Sequence, residues 1–137
     1  NVSAIDRSTA KENSGSGIKI LFVEDEDSVR SFAVRALKKK GYEVIGCNSA
    51  ENAIEQLAET QDFNLLVTDM VMPGMNGVEL ARLVKEKIPD IKIILASGYS
   101  EEIARSELAA SEEFEFMAKP FSLGDLSKKI FDVLNKD

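Results

Sequence analysis

Residues 64–77 read NLLVTDMVMPGMNG. The run through Leu65, Leu66 and Val67 lacks the polar alternation of a strand with one wet face. A strand covered by helices on both sides of a parallel sheet reads this way. It stops at an acidic residue, Asp69, and passes into a loop carrying Pro73, Gly74 and Gly77 before a helical period begins. Strand, acidic end, loop and helix form one unit.

Outward from this stretch the unit recurs. Short apolar runs lie at residues 18–23, 42–45, 63–68, 91–96 and 114–118, and three of them (KILFV, NLLVT and KIILA) are rich in Ile, Leu and Val. Helical stripes lie between and after them. The first has Val29, Phe32, Ala33, Ala36 and Leu37; Val34 falls outside it as a candidate docking residue, or as a singly exposed apolar side chain with no role. The second has Ala50, Ala53, Ile54, Leu57 and Ala58, with Ser49 placed as N-cap. The third has Leu80, Leu83, Val84 and Ile88, closed by Pro89. A weaker one surrounds Ile103, Ala104 and Leu108 after Ser100. The last has Leu123, Leu126, Ile130, Val133 and Leu134, and opens on Ser122-x-x-Asp125, a capping-box pattern with Asp for Glu. Five strand–helix repeats with right-handed crossovers predict an α/β fold: a doubly wound, five-stranded parallel sheet with helices on both faces. Residues 1–17, NVSAIDRSTAKENSGSG, predict a flexible linker, with an expression-vector scar as the alternative, and leave 18–137 as one domain.

Composition narrows the chemistry. The chain has 137 residues, 44% hydrophobic and 30% charged, with a net charge of -7. An acidic balance argues against non-specific binding to nucleic acid or to an anionic membrane surface. Cys47 is the single cysteine, so no internal disulfide forms and a reduced, cytoplasmic setting is expected. No apolar run approaches bilayer length. The chain contains no histidine. This removes an internal phospho-histidine, histidine-based nucleophile pairs and histidine-ligated zinc, leaving carboxylates, lysine and hydroxyls for any chemistry.

Ligands of such sheets gather at the carboxyl ends of the strands. Glu24-Asp25-Glu26-Asp27 follow the first run, Asp69 ends the third, Ser97-Gly98 the fourth and Lys119-Pro120 the fifth. Each has a plain reading: Glu26 and Asp27 complement a helix dipole, Ser97 makes a turn, and Lys119 is solvated. Together they describe a carboxylate cluster facing a hydroxyl and a lysine. Clustered carboxylates call for a cation, and an all-oxygen set favours Mg²⁺. A carboxylate also serves as a nucleophile toward phosphorus.

Glu24-Asp25, Asp69 within LLVTDMVMPGMNG, Ser97 within IILASGY and Lys119-Pro120-Phe121 resemble the response-regulator receiver family across residues 18–135. The resemblance implies flavodoxin-like strand order 2-1-3-4-5. It implies Asp69 as phosphoryl acceptor from phospho-histidine. Mg²⁺ would lie on Asp25, Asp69, the Val71 carbonyl and, through water, Glu24. Lys119, Ser97 and the Gly98 amide would hold phosphoryl oxygens, and Ser97 with Phe116 would form the switch. Glu24 stands for a frequent Asp, Ser97 for a frequent Thr, and Phe116 for a frequent Tyr. A narrower likeness, through ILFVEDEDSVR, ASGYSEEIAR and KPFSLGDL, is to the C-terminal receiver of hybrid histidine kinases of the CckA type in alphaproteobacteria. It implies a histidine kinase domain upstream in a longer parent chain that can be anchored in the membrane, a separate histidine phosphotransferase as partner, and no DNA-binding output domain after the last helix. An FMN-binding flavodoxin would need a hydroxyl- and glycine-rich loop where Glu24–Asp27 stand. A haloacid-dehalogenase-type phosphatase would need Asp where Val71 stands. A degenerate receiver would lack one of the key residues. Val71 and Tyr99, two residues past Asp69 and Ser97, are the positions best placed to orient a hydrolytic water, and Val71 has no polar atom with which to do so.

Overall fold

The structure, a computed structural model, describes residues 17–98 and 114–136. The expected linker up to residue 16, Tyr99, Ser100 and the stripe around Ile103, Ala104 and Leu108 lie outside the described residues. Five strands, β1 (Lys19–Val23), β2 (Glu43–Cys47), β3 (Leu65–Asp69), β4 (Lys92–Ser97) and β5 (Glu115–Ala118), form one sheet in the order β2-β1-β3-β4-β5. Every pairing is parallel. The four described helices are α1 (Asp27–Lys39), α2 (Ala50–Glu59), α3 (Gly77–Lys87) and α4 (Leu123–Leu134). This is the doubly wound sheet that the alternation of runs and stripes predicts, in the flavodoxin-like order that the family resemblance implies.

Alternate residues of the central strands feed two separate cores, as the two-residue period of a strand requires. Leu21, Val23, Leu66, Ile93, Leu95 and Phe116 pack with Ala53 and Leu57 of α2 and with Leu80 and Val84 of α3. Ile20, Phe22, Leu65, Val67, Ile94 and Met117 pack with Ala33 and Leu37 of α1 and with Leu126, Ile130 and Val133 of α4. Every residue of β3 is buried, which explains why its sequence does not alternate. Each fully buried Leu or Ile contributes about 1.5–3 kcal/mol. No described helix is long and apolar enough to cross a membrane.

Helix starts are written locally. Ser49 accepts from the Asn52 amide at 3.0 Å. Ser122 and Asp125 close the expected capping box on α4. Asn76 and Glu79 close another on α3. The α1 stripe needs correcting. Phe32 is 59% exposed, so it does not belong to the core stripe. Val34, placed outside that stripe as a docking candidate, is half-buried and packs on the α1–α4 core. Its methyl would lie 3.0 Å from a β-carbon built on Gly46. The bare backbone at Gly46 opens room under α1 that a helical wheel alone does not show.

Cys47 ends the edge strand β2 with a buried, free thiol that burial pushes up to about 11. At the opposite edge, Glu115 of β5 meets Lys136 at 2.6 Å and Lys129 at 3.3 Å. The hydrogen bond from Lys136, joined by Lys129 and opposed by burial, lowers its carboxyl below the ordinary glutamate value of 4.5. A depressed folded-state value adds stability above the unfolded one and loses it as pH falls through the folded one. Replacing Glu115 with Gln therefore costs up to about 1 kcal/mol at neutral pH. In urea titrations across pH, that difference from wild type closes as the medium is acidified below 4.5.

Gly77 sits where α3 turns back onto β3, and its amide donates to Met70 O at 2.9 Å. A β-carbon there would lie 2.8 Å from the Asp69 carbonyl carbon and 2.9 Å from Met70 Cα, both backbone atoms that cannot swing aside. Gly77→Ala is expected to lower unfolding free energy by about 1–3 kcal/mol, seen as a lower urea midpoint at unchanged slope.

Candidate functional site

Register decides which residues meet. Val23 pairs with Cys47 and with Thr68, Asp69 with Ala96, and Ser97 with Ala118. The residues that follow β1 and end β3 therefore emerge side by side at the carboxyl edge. Those that end β4 and follow β5 stand next in line. Backbone bonds fasten the edge: Glu24 N donates to Cys47 O at 3.0 Å, Met70 N to Ala96 O at 2.8 Å and Lys119 N to Ser97 O at 2.8 Å. The Lys119-Pro120 peptide is cis.

Oxygen atoms of Glu24, Asp25 and Asp69 all lie within 4.8 Å of one another. Glu24 and Asp69 are buried, at 4% and 8% exposure, whereas Asp25 is open to solvent. Lys119 reaches back from the end of β5, its Nζ 2.9 Å from Asp69 Oδ2 and 3.2 Å from Glu24 Oε1. Burial, with the charge of Asp69, raises the Glu24 carboxyl against the opposing pull of the Glu26 amide and Lys119. Burial works to lower the Lys119 ammonium, but its hydrogen bond to Asp69 and the charges of Asp69 and Glu24 outweigh that and raise it. The ion pair is thus held charged on the lysine side. Three carboxylates around one ammonium still leave a surplus of negative charge, which a cation offsets. The donors are all hard oxygens, one group faces solvent, and no thiolate or imidazole is present. That set fits Mg²⁺, which keeps water in its shell.

The other expected site residues divide. Ser97 is buried at the end of β4. Gly98 follows it, exposed, with open space where a β-carbon would stand. Phe116 pairs with Leu95, two residues before Ser97 on β4, so it shares a sheet face with Ser97 but belongs to the core between β4 and the helices. Val71 is 62% exposed on the loop after β3, and its amide lies 3.4 Å from Asp69 Oδ1. Glu26 and Asp27 stand at the start of α1, as the dipole reading has it, and Asp27 pairs with Arg30 at 2.6 Å.

Three contacts escape a reading of the sequence. Arg30 Nη1 donates to the Glu24 carbonyl at 2.9 Å. Glu51, in the first turn of α2, accepts from the Met75 amide at 3.2 Å, across the loop that follows Asp69. The third is the α3 capping box. Asn76-x-x-Glu79 does match the box pattern, a signal the sequence carries; Arg30 and Glu51 have none, because their partners are main-chain atoms, which any residue type supplies.

Residues 20–131 match the profile of the response regulator receiver domain family. Sensor kinase CckA of Brucella abortus is 41% identical over 128 residues, 93% of this chain and 13% of that protein. The chain thus spans about an eighth of that relative's length. Response regulator receiver protein CpdR of the same organism is 40% identical over 116 residues, 85% of this chain and 96% of CpdR. Among solved structures, response regulator protein TrrA of Thermotoga maritima, in complex with Mg(2+)-BeF, superposes with a TM-score of 0.73 at 31% identity, covering 85% of this chain and 98% of that one.

The carboxylate cluster makes a direct prediction about metal. Adding Mg²⁺ is expected to raise the melting midpoint, by an amount equivalent to about 2.7 kcal/mol at a hundred times the dissociation constant. Asp25→Asn, at an exposed position, should leave the metal-free midpoint near wild type and remove most of the Mg²⁺ response in a thermal scan.

Proposed function

Because this chain belongs to the response regulator receiver domain family, we propose that Asp69 takes a phosphoryl group from phospho-histidine in a Mg²⁺-dependent reaction. The observation that carries the reading is the buried Asp69 carboxylate held at 2.9 Å by the Lys119 ammonium inside a three-carboxylate cluster. An oxygen of Asp69 bonds to phosphorus as the phosphorus–nitrogen bond breaks and the imidazole leaves with the electron pair. The charge carried by the equatorial oxygens needs positive partners. Lys119 supplies one and the Ser97 hydroxyl and Gly98 amide supply hydrogen bonds. Asp25, Asp69, Glu24 and the Val71 carbonyl would hold Mg²⁺, which would supply charge neutralisation for the phosphoryl group. Burial of Asp69 limits water at the nucleophile and strengthens each electrostatic contact.

Receiver domains work with histidine kinases. For this chain we read the donor as a kinase domain in the same parent protein and the relay partner as a histidine phosphotransferase, acting in the cytoplasm. The likeness to sensor kinase CckA over 93% of this chain supports that placement. The comparable identity to CpdR, nearly all of whose length is matched, keeps a stand-alone receiver as the second reading. We read the switch as a rearrangement of Ser97 and Phe116, which lie on one sheet face in adjacent strands.

Incubation with a phosphorylated kinase or acetyl phosphate in Mg²⁺ should add one phosphoryl group by intact mass. Asp69→Asn, nearly isosteric, should add none while keeping its circular dichroism; stable incorporation into that variant would sink the assignment. Decay of the phosphorylated protein should be slow, because exposed Val71 offers no polar atom to orient a water. Val71→Asn is expected to speed decay roughly 2- to 13-fold, the worth of one hydrogen bond of about 0.5–1.5 kcal/mol.

A further inference from the structure

The acidic pair Glu24-Asp25 lies on a connection of only three residues between the end of β1 at Val23 and the start of α1 at Asp27. Glu24 is anchored on its amide side by Cys47 O at 3.0 Å. Its carboxylate accepts from the Glu26 amide at 3.2 Å. Its carbonyl accepts from the Arg30 guanidinium at 2.9 Å. Arg30 is itself oriented by Asp27 at 2.6 Å, and its side chain is 20% exposed. The aliphatic stem of Arg30 lies over Gly46 of β2, with Cγ and Cδ each 3.5 Å from where a β-carbon would stand. One side chain therefore ties three things together: its guanidinium holds the loop that carries two cluster carboxylates and the first turn of α1, and its stem lies over the edge strand.

We infer that Arg30 is a positioning residue for divalent-cation binding, bracing the Glu24-Asp25 segment through the Glu24 carbonyl so that both carboxylates meet Asp69. The inference rests on the metal-binding role proposed above for Glu24, Asp25 and Asp69. It differs from a charge effect in sign. Arg30 is a cation near an acidic cluster, so its charge alone repels a second cation, and removing it would tighten Mg²⁺ binding. Its hydrogen bond works the other way, by holding ligand-bearing backbone in place; groups that orient metal ligands typically carry 10- to 100-fold in affinity. A charged donor on a half-buried carbonyl, with a stem packed on Gly46, gives the bracing role the larger share. A guanidinium presents several donors in a fixed fork and so serves the Glu24 carbonyl and Asp27 at once. A lysine ammonium lacks that planar fork and is a poorer match to the two partners.

The test is calorimetric titration of Mg²⁺ into metal-free wild type, Arg30→Met, Arg30→Lys and Asp25→Asn, each checked for folding by circular dichroism. Arg30→Met keeps a stem over Gly46 and loses the donors; it is expected to weaken Mg²⁺ binding about 10-fold. Arg30→Lys should recover part of that loss. Mg²⁺ affinity in Arg30→Met equal to wild type, or tighter, overturns the inference, since that is the result of charge alone or of a merely structural contact. If Arg30→Met does not fold, Arg30→Lys decides, weakened binding supporting the brace and wild-type affinity overturning it. Failure of the underlying reading looks different: wild type itself would give no saturable binding, or would bind as well after Asp25→Asn.

Discussion

Two buried carboxylates cannot stand at the end of a sheet without a counter-charge, and the rest of the site follows from how Lys119 supplies it. Its ammonium sits 2.9 Å from Asp69 and 3.2 Å from Glu24, on side chains otherwise withdrawn from water. Burial, with the charge of Asp69, favours a proton on Glu24. The lysine sets an opposite charge within hydrogen-bond reach of both carboxylates. It does so from β5, two strands away from Asp69 in the sheet order, which only the parallel register permits. The fold is in this sense a device for bringing one cation and three anions from distant parts of the chain to a single edge.

That edge is also held by backbone. Glu24, Met70 and Lys119 each donate an amide to a neighbouring strand at the point where its own strand ends. Gly77 lets α3 fold directly against the Asp69 carbonyl, and the Asn76–Glu79 box fixes where that helix begins. Asp69 therefore sits between the pinned carboxyl edge of the sheet and a capped helix. A positioned group of this kind is the usual source of rate in phosphoryl transfer, where the protein supplies geometry and charge rather than covalent chemistry.

How far the sequence carries the argument can be traced residue by residue. KILFV, NLLVT and KIILA reveal their strands because residues buried on both faces cannot alternate, and the acidic, hydroxyl and lysine residues reveal the site because they follow those strands. Ser49 and the Ser122–Asp125 pair reveal helix starts because capping is local. A helical wheel misplaces Val34 and Phe32 because it treats the sheet as a uniform floor, whereas Gly46 leaves a hollow that Val34 fills while Phe32 stays exposed. Arg30 and Glu51 were not legible because each bonds to main chain, and main chain carries no residue-type signal.

Cys47 lies directly behind this apparatus: its carbonyl receives the Glu24 amide, and its thiol is buried and held protonated, with a value of about 11. A thiol in that condition reacts only through the thiolate and only when reagent reaches it. While β2 stays on the sheet, Cys47 is chemically silent. Its alkylation rate in the native protein is then a clock for how often the edge strand lifts, a local opening distinct from global unfolding. The lone cysteine thus doubles as a built-in reporter of fraying immediately beside the acidic pocket.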